Sequence, residues 1–160
     1  VNLYLFNFEI SEDLLVYQGA HHEIEMDRSA LEQIAKTLAQ AKSIAIYAGL
    51  GALNARDLLI ELAERLDAVV YSTISGKGVF PENHPRWAWM TMGNAVPPPL
   101  REIEEELDCL LAIGCRFGEV ATASYGLKIP QNFIHIDISP QYCKVAEDRV
   151  IKVTNHIDTR

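Results

Sequence analysis

The sequence predicts an α/β fold, a three-layer, doubly wound sheet of about six parallel strands. Three observations carry this expectation. Ile44-Ala45-Ile46-Tyr47-Ala48 is an unbroken apolar run, the pattern of a strand buried on both faces, as parallel sheets require. The run stops at Gly49-Leu50-Gly51, where glycines let the backbone turn tightly or come close to a ligand, and a helical pattern follows. The same strand–loop–helix unit then recurs down the chain, and alternation of this kind implies parallel βαβ units.

Taken in order, residues 1–26 read as a linker or interdomain segment, and residues 27–160 as one domain. Leu3 to Ile10 has strand propensity, and Ser11 to Glu25 has no sustained period. His21-His22-Glu23 with Glu25 lacks further ligands at useful spacing, so a solvated linker is the reading there. Ser29-Ala30-Leu31-Glu32 has the form of a capping box. Leu31, Ile34, Ala35 and Leu38 then recur at helical spacing. Asn54 is placed to cap the next helix, whose apolar stripe is Leu58, Leu59, Leu62, Ala63 and Leu66. A second strand, Ala68 to Tyr71, leads into Ser72-Thr73-Ile74-Ser75-Gly76-Lys77-Gly78.

From Gly76 to Pro99 the chain is rich in loops, with a short strand expected around Trp89 to Met92. The prolines at 97–99 start a helix, where a missing N–H does no harm. Leu100, Ile103 and Leu107 are expected to face inward, with Glu102, Glu104, Glu105 and Glu106 forming a solvated face. Cys109 to Ile113 is the next strand, running into Gly114-Cys115-Arg116-Phe117-Gly118. Glu119 to Gln131 reads as loop or short helix, stopped by Pro130. Phe133 to Ile138 and Val150 to Thr154 complete the strands. His135 is expected to be a packed strand residue, His84 a turn residue and His156 solvated.

Composition narrows the partners. The 160 residues are 49% hydrophobic and 22% charged, with a net charge of -8, so neither a nucleic-acid surface nor an anionic-lipid surface is expected. The three cysteines, Cys109, Cys115 and Cys143, contain no CxxC pair. That pattern fits a reducing, cytoplasmic setting, with Cys109 as a small buried hydrophobe. No run approaches the ~18 apolar residues of a membrane span. The start at Val1, without methionine, and the stop at Arg160 read as those of a piece of a longer protein.

Ligands of doubly wound sheets sit at the carboxyl ends of the strands. That selects the loops Gly49–Gly51, Thr73–Gly78, Gly114–Gly118 and Asp137–Ser139. Gly49 and Gly51 would admit a pyrophosphate, Arg116 would pair with phosphate through its forked guanidinium, and Asp137 would accept hydrogen bonds from ribose. A tight turn and nothing more is the competing reading of the glycines. The dinucleotide fingerprint is incomplete: its third glycine position holds Asn54, and Tyr71-Ser72-Thr73 stands where an acid belongs. Gly76-Lys77-Gly78 is not a P-loop. No G-x-S-x-G elbow and no legible nucleophile–base pair occurs. No catalytic or metal-ligating residue is assigned.

Four phrases, I-Y-A-G-L-G-A, S-T-I-S-G-K-G-V-F-P-E-N-H-P, L-D-C-L-L-A-I-G-C-R-F-G and F-I-H-I-D-I-S-P, together resemble the central domain of thiamine-diphosphate-dependent enzymes of the acetolactate synthase and pyruvate oxidase kind. The resemblance covers about Ser29 to Asp158. It implies a Rossmann-like, DHS-like nucleotide-binding sheet that holds FAD in some members, ADP in others and nothing in others. The matching cofactor positions are Gly49, Gly51, Thr73, Ile74, Gly114, Arg116, Asp137, Ile138 and Ser139. Two departures bear on FAD: Gly118-Glu119-Val120 follows R-F, and Thr91-Met92-Gly93-Asn94 replaces a G-M-H-G-like phrase. The resemblance further implies that thiamine diphosphate and magnesium belong to flanking pyrimidine- and diphosphate-binding domains, in a homodimer or homotetramer. On that reading the parent is an enzyme and this chain alone is not. The alternative is a free-standing nucleotide-binding protein without thiamine chemistry.

Overall fold

A computed structural model of the chain describes residues 28–138. The linker over 1–26, the strands expected at 3–10 and 150–154, Ser139, Cys143 and His156 lie outside the described residues.

Among the described residues, five strands form one parallel sheet: β1 (Ile44–Ala48), β2 (Val69–Ser72), β3 (Trp87–Met90), β4 (Cys109–Ile113) and β5 (Asn132–Ile136). Their order is β3-β2-β1-β4-β5, with every neighbouring pair parallel. The helices are α1 (Arg28–Gln40), α2 (Arg56–Arg65) and α3 (Pro98–Glu105). The chain therefore winds outward from β1 through β2 to β3, then returns to lay β4 on the other side of β1. This reversal places the topological switch point between β1 and β4.

All five residues of β1 are buried, because alternate side chains face two different cores. Ile44, Ile46 and Ala48 join Val70, Cys109, Leu111, Leu38 of α1, and Leu59 and Ala63 of α2. Ala45 and Tyr47 join Tyr71, Leu110, Ala112, Val96 and Phe117, with Leu100 and Leu107 packed against them. Three layers result, as predicted. Each fully buried side chain of the size of Ile46 or Leu110 contributes about 1.5–3 kcal/mol.

At the amino edge, one carboxylate ties two strands together. Asp108 accepts from the N–H groups of Lys42, at 2.9 Å, and Ser43, at 3.1 Å. Its acidity is strengthened by these bonds, which hold its carboxyl below the ordinary value.

Several local expectations are corrected. Ser29 lies inside α1, so it does not cap that helix. Asn54 does not cap α2: a 3-10 segment, Leu50–Ala55, comes between, and Ala55 precedes α2 without any side-chain cap. Leu58 is 68% exposed, because α2 meets the sheet through Leu59 and Ala63, about 100° around the helix from it. Leu31 and Ile103 are exposed. Glu104 is drawn toward the sheet instead of standing in solvent, since its Oε2 accepts from the Gly93 N–H at 2.9 Å. β3 begins two residues earlier than expected, and β5 ends before Asp137. The segment after β4 makes a 3-10 turn, Val120–Thr122, followed by left-handed residues at Ala123, Ser124 and Tyr125. His84 is a turn residue as expected; its Nδ1 accepts from the Arg86 N–H at 3.1 Å.

Candidate functional site at the carboxyl edge

The parallel ladder does not stop where the strands end. Thr91 N–H donates to Ser72 O at 2.7 Å, and Thr73 N–H to Ala48 O at 2.9 Å. Gly49 N–H donates to Ile113 O and Gly114 N–H to Ile136 O, each at 2.8 Å. Each loop at the carboxyl edge thus leaves its strand by bonding to the neighbouring strand.

This decides what the glycines do in the fold. Gly51 N–H donates to Gly114 O at 3.3 Å, so the two loops at the switch point lie backbone against backbone. A methyl group on Gly49 would overlap the Gly114 carbonyl, and one on Gly51 would lie 2.8 Å from Gly114 Cα. The space that a pyrophosphate would enter between the loops is filled by the Gly114 peptide. Any ligand at this edge would have to lie over these loops, not within them.

Around this closed edge stands an apolar rim. Leu50 (55%), Leu53 (50%) and Ile74 (50%) are about half exposed, and Ile138 is 70% exposed. The Leu50–Ala55 segment touches the Ile74–Gly76 turn, so Leu50, Leu53 and Ile74 belong to one corner of the molecule. Arg116 is exposed on the loop after β4.

Thr73 is buried, and its Oγ1 accepts from the Gly76 N–H at 3.0 Å, closing the Ile74–Gly76 turn. Of the residues singled out from sequence, Gly51, Ile74, Arg116 and Ile138 present surface at this edge. Gly49 and Thr73 are buried, and Gly114 has its N–H committed to the ladder.

Asp137 is turned inward. Its side chain is 6% exposed, and Oδ2 lies 4.0 Å from His135 Nε2. Phe133, His135 and Asp137 alternate along one strand direction and so share a face. The His135 ring stacks on Phe133, with 14° between planes, and meets the edge of Phe117 at 5.2 Å. Across the register His135 faces Ala112, whose small side chain leaves room for the ring. Neither imidazole nitrogen has a hydrogen-bond partner. Burial lowers the imidazole's proton affinity, with the Cys115 main chain and Asp137 acting in the opposite direction. Cys115 is buried, its Sγ–H donates to Tyr47 O at 3.0 Å, and burial pushes its thiol up. It is therefore a poor nucleophile.

A second polar cluster escaped the sequence reading. Tyr47 and Tyr71 are direct register partners on β1 and β2. Tyr47 Oη donates to Ala121 O at 2.8 Å, while Tyr71 Oη and Glu104 Oε1 are buried without partners. Burial raises the Glu104 carboxyl above its ordinary value, opposed by the Gly93 bond and by Arg101. The signal was the stripe itself: Glu104 stands between Leu100 and Leu107 at spacings of four and three. Among the described residues, no group of three or more His, Cys, Asp or Glu side chains is placed to hold a metal ion. No described helix is long and apolar enough to cross a membrane.

Comparison with known proteins gives a consistent result. The family described as thiamine pyrophosphate enzyme, central domain, matches residues 31–154. The "Probable acetolactate synthase large subunit" of Methanocaldococcus jannaschii is 36% identical over 113 residues, covering 69% of this chain and 19% of that protein. The "Probable 2-ketoarginine decarboxylase AruI" of Pseudomonas aeruginosa is 33% identical, covering 70% of this chain and 20% of its own length. Pyruvate oxidase of Lactiplantibacillus plantarum is 31% identical, with 72% and 19% covered. The chain thus spans about a fifth of the length of these relatives. A solved structure from Mycobacterium smegmatis, described as a thiamin diphosphate-dependent enzyme, shares the fold at 23% identity and a TM-score of 0.57. The match covers 81% of this chain and 27% of that one.

Proposed function

Because the chain belongs to the thiamine pyrophosphate enzyme central-domain family, we propose that it is the non-catalytic middle of an enzyme acting on 2-oxo acids, with a nucleotide held on its carboxyl rim. Relatives named as a synthase, a decarboxylase and an oxidase support a decarboxylating or carboligating parent. Thiamine diphosphate and magnesium are assigned to flanking domains, in a cytoplasmic homodimer or homotetramer. The chain's own part is to space those domains and to present the rim.

The observation that carries the nucleotide reading is the half-exposed corner of Leu50, Leu53 and Ile74 at the carboxyl ends of β1 and β2, on the edge that also holds the switch point. Apolar surface with a few polar groups suits an adenine or flavin ring, and Arg116 nearby suits its phosphate. FAD and ADP are the candidates, lying across the loops because the glycine N–H groups are already committed. That commitment favours a second reading, a spacer that binds no nucleotide.

Titration of the purified chain with FAD and ADP, read by thermal shift and flavin fluorescence, separates the two. Micromolar binding, weakened in Arg116→Ala and in Ile74→Asp, supports the rim. No response at millimolar ligand leaves the spacer. The flanking gene sequence separates both from a free-standing nucleotide-binding protein, since a downstream G-D-G motif marks the diphosphate-binding domain.

A further inference from the structure

We propose that His84 is an acid-sensitive clasp on the edge strand β3: its neutral imidazole holds the turn that starts the strand, and a proton on Nδ1 releases that turn. The clasp sits at the amino edge of the sheet, away from the nucleotide rim, and is independent of it.

The geometry fixes the state of the ring. Arg86 N–H lies 3.1 Å from His84 Nδ1. A main-chain N–H can only donate, so Nδ1 carries no proton here. The neutral ring then keeps its proton on Nε2, which donates to Glu64 Oε1 at 3.3 Å. Both nitrogens are used, and one tautomer is selected. The side chain is 17% exposed, and its ring meets the buried Phe80 edge-on at 5.0 Å.

The turn closes on these bonds. His84 N–H donates to Pro81 O at 3.1 Å, and Trp87 N–H to His84 O at 2.9 Å. Pro85 has no N–H, so with the Arg86 bond every main-chain donor from 84 to 87 is satisfied. Of these three acceptors, Nδ1 is the one that a proton can take away. Arg86 is also where β3 joins the sheet: its carbonyl accepts from Val70 N–H at 2.8 Å, and Trp87 is the register partner of Val70.

An imidazolium carries protons on both nitrogens, which sets an Nδ1–H against the Arg86 N–H. Glu64 accepts from Nε2 in either state, and Phe80 packs against the ring, so the ring stays and the turn gives. The other charged groups nearby are paired among themselves. Arg86 donates to Asp67 O at 3.2 Å and to Asp67 Oδ1, and Lys77 pairs with Glu82 at 3.9 Å. β3 is four residues long and outermost on its side of the described sheet, and its register with β2 shifts between Val70 and Tyr71. A loosened start is therefore felt along the strand.

Two measurements on the 160-residue chain test this. Imidazole nitrogen NMR should show the Nε2–H tautomer in the neutral ring; the Nδ1–H tautomer overturns the clasp. As that ring titrates, the protection factor of the Arg86 amide should fall about fivefold, the loss of one main-chain hydrogen bond. The chain's two tryptophans, Trp87 and Trp89, both lie on β3, so their emission should shift to the red in step. In His84→Asn, Oδ1 replaces Nδ1 as acceptor for the N–H two residues on, and both readouts should stay flat. Unmoved Arg86 protection in the wild type overturns the proposal, as does an equal fall in both proteins or a ring that stays neutral until the chain unfolds. The wild-type measurements decide the matter even where His84→Asn fails to fold.

Discussion

A methyl group on Gly114 would lie 2.6 Å from Gly51 Cα, and one on Gly51 would lie 2.8 Å from Gly114 Cα. The two loops at the switch point are therefore interlocked through their glycines. Gly114 also has φ +62°, a conformation that side chains resist. Gly114→Ala should destabilise the chain by about 2–4 kcal/mol, strain and overlap together. Gly78→Ala, at φ +88° but with open space around it, should lose only the strain, about 1–2 kcal/mol. Gly118→Ala, with neither constraint, should be neutral or gain up to about 1 kcal/mol. Urea unfolding of the three variants checks the order. If Gly114→Ala matched Gly118→Ala, the interlocking would be wrong.

Glu104 grips the chain that follows β3. Its Oε2 takes the Gly93 N–H, while Arg101 of the same helix donates to Val96 O at 3.2 Å and Asn94 O at 3.0 Å. Gly93 and Thr91 both have positive φ, so this grip holds a segment that would otherwise relax. Burial raises the Glu104 carboxyl above its unfolded value, and the folded state binds the extra proton in that window. Stability from this group is thus fully present below the ordinary glutamate value and is lost as pH rises through the raised one. In Glu104→Gln, which keeps an acceptor for Gly93, that slope should vanish. Glu104→Leu should lose about 1 kcal/mol through the unpaired N–H and speed amide exchange at 91–96. Parallel pH slopes in wild type and Glu104→Gln would sink the argument.

The legible and illegible parts of this chain separate by how far the deciding contact lies. β1 and β4 could be read directly, because an apolar run buried on both faces leaves its mark in consecutive residues. The same holds for the proline start of α3. Where the deciding partner comes from elsewhere in the chain, local signals misled. Ser29 carries the residue type of a cap and lies within a helix. Glu104 carries the residue type of a solvated face and is drawn in by the Gly93 N–H. At the carboxyl edge, G-L-G announces a tight place but not its cause. Only the fold shows that the peptide of Gly114 fills the gap. The burial of His135 likewise involves Phe117, a residue of another loop, whose ring meets the imidazole edge-on at 5.2 Å.

Tyr47 and Tyr71 stand side by side on β1 and β2, both fully buried, yet removing their hydroxyls should have opposite effects. Tyr47 Oη donates to Ala121 O and so fastens the segment after β4 to the sheet. Tyr47→Phe leaves that carbonyl without its donor and should cost about 1 kcal/mol. Tyr71 Oη has no partner, and a buried hydroxyl without a hydrogen bond is a desolvation penalty with nothing set against it. Tyr71→Phe should therefore be neutral or stabilising by up to about 1 kcal/mol. Burial, aided by the Glu104 charge, raises both phenols far above their ordinary value, so neither ionises over the range in which the fold is measured. The comparison is best made by urea unfolding at neutral pH. If Tyr71→Phe lost as much stability as Tyr47→Phe, the Tyr71 hydroxyl would have to be hydrogen-bonded, with Glu104 Oε1 the first partner to examine.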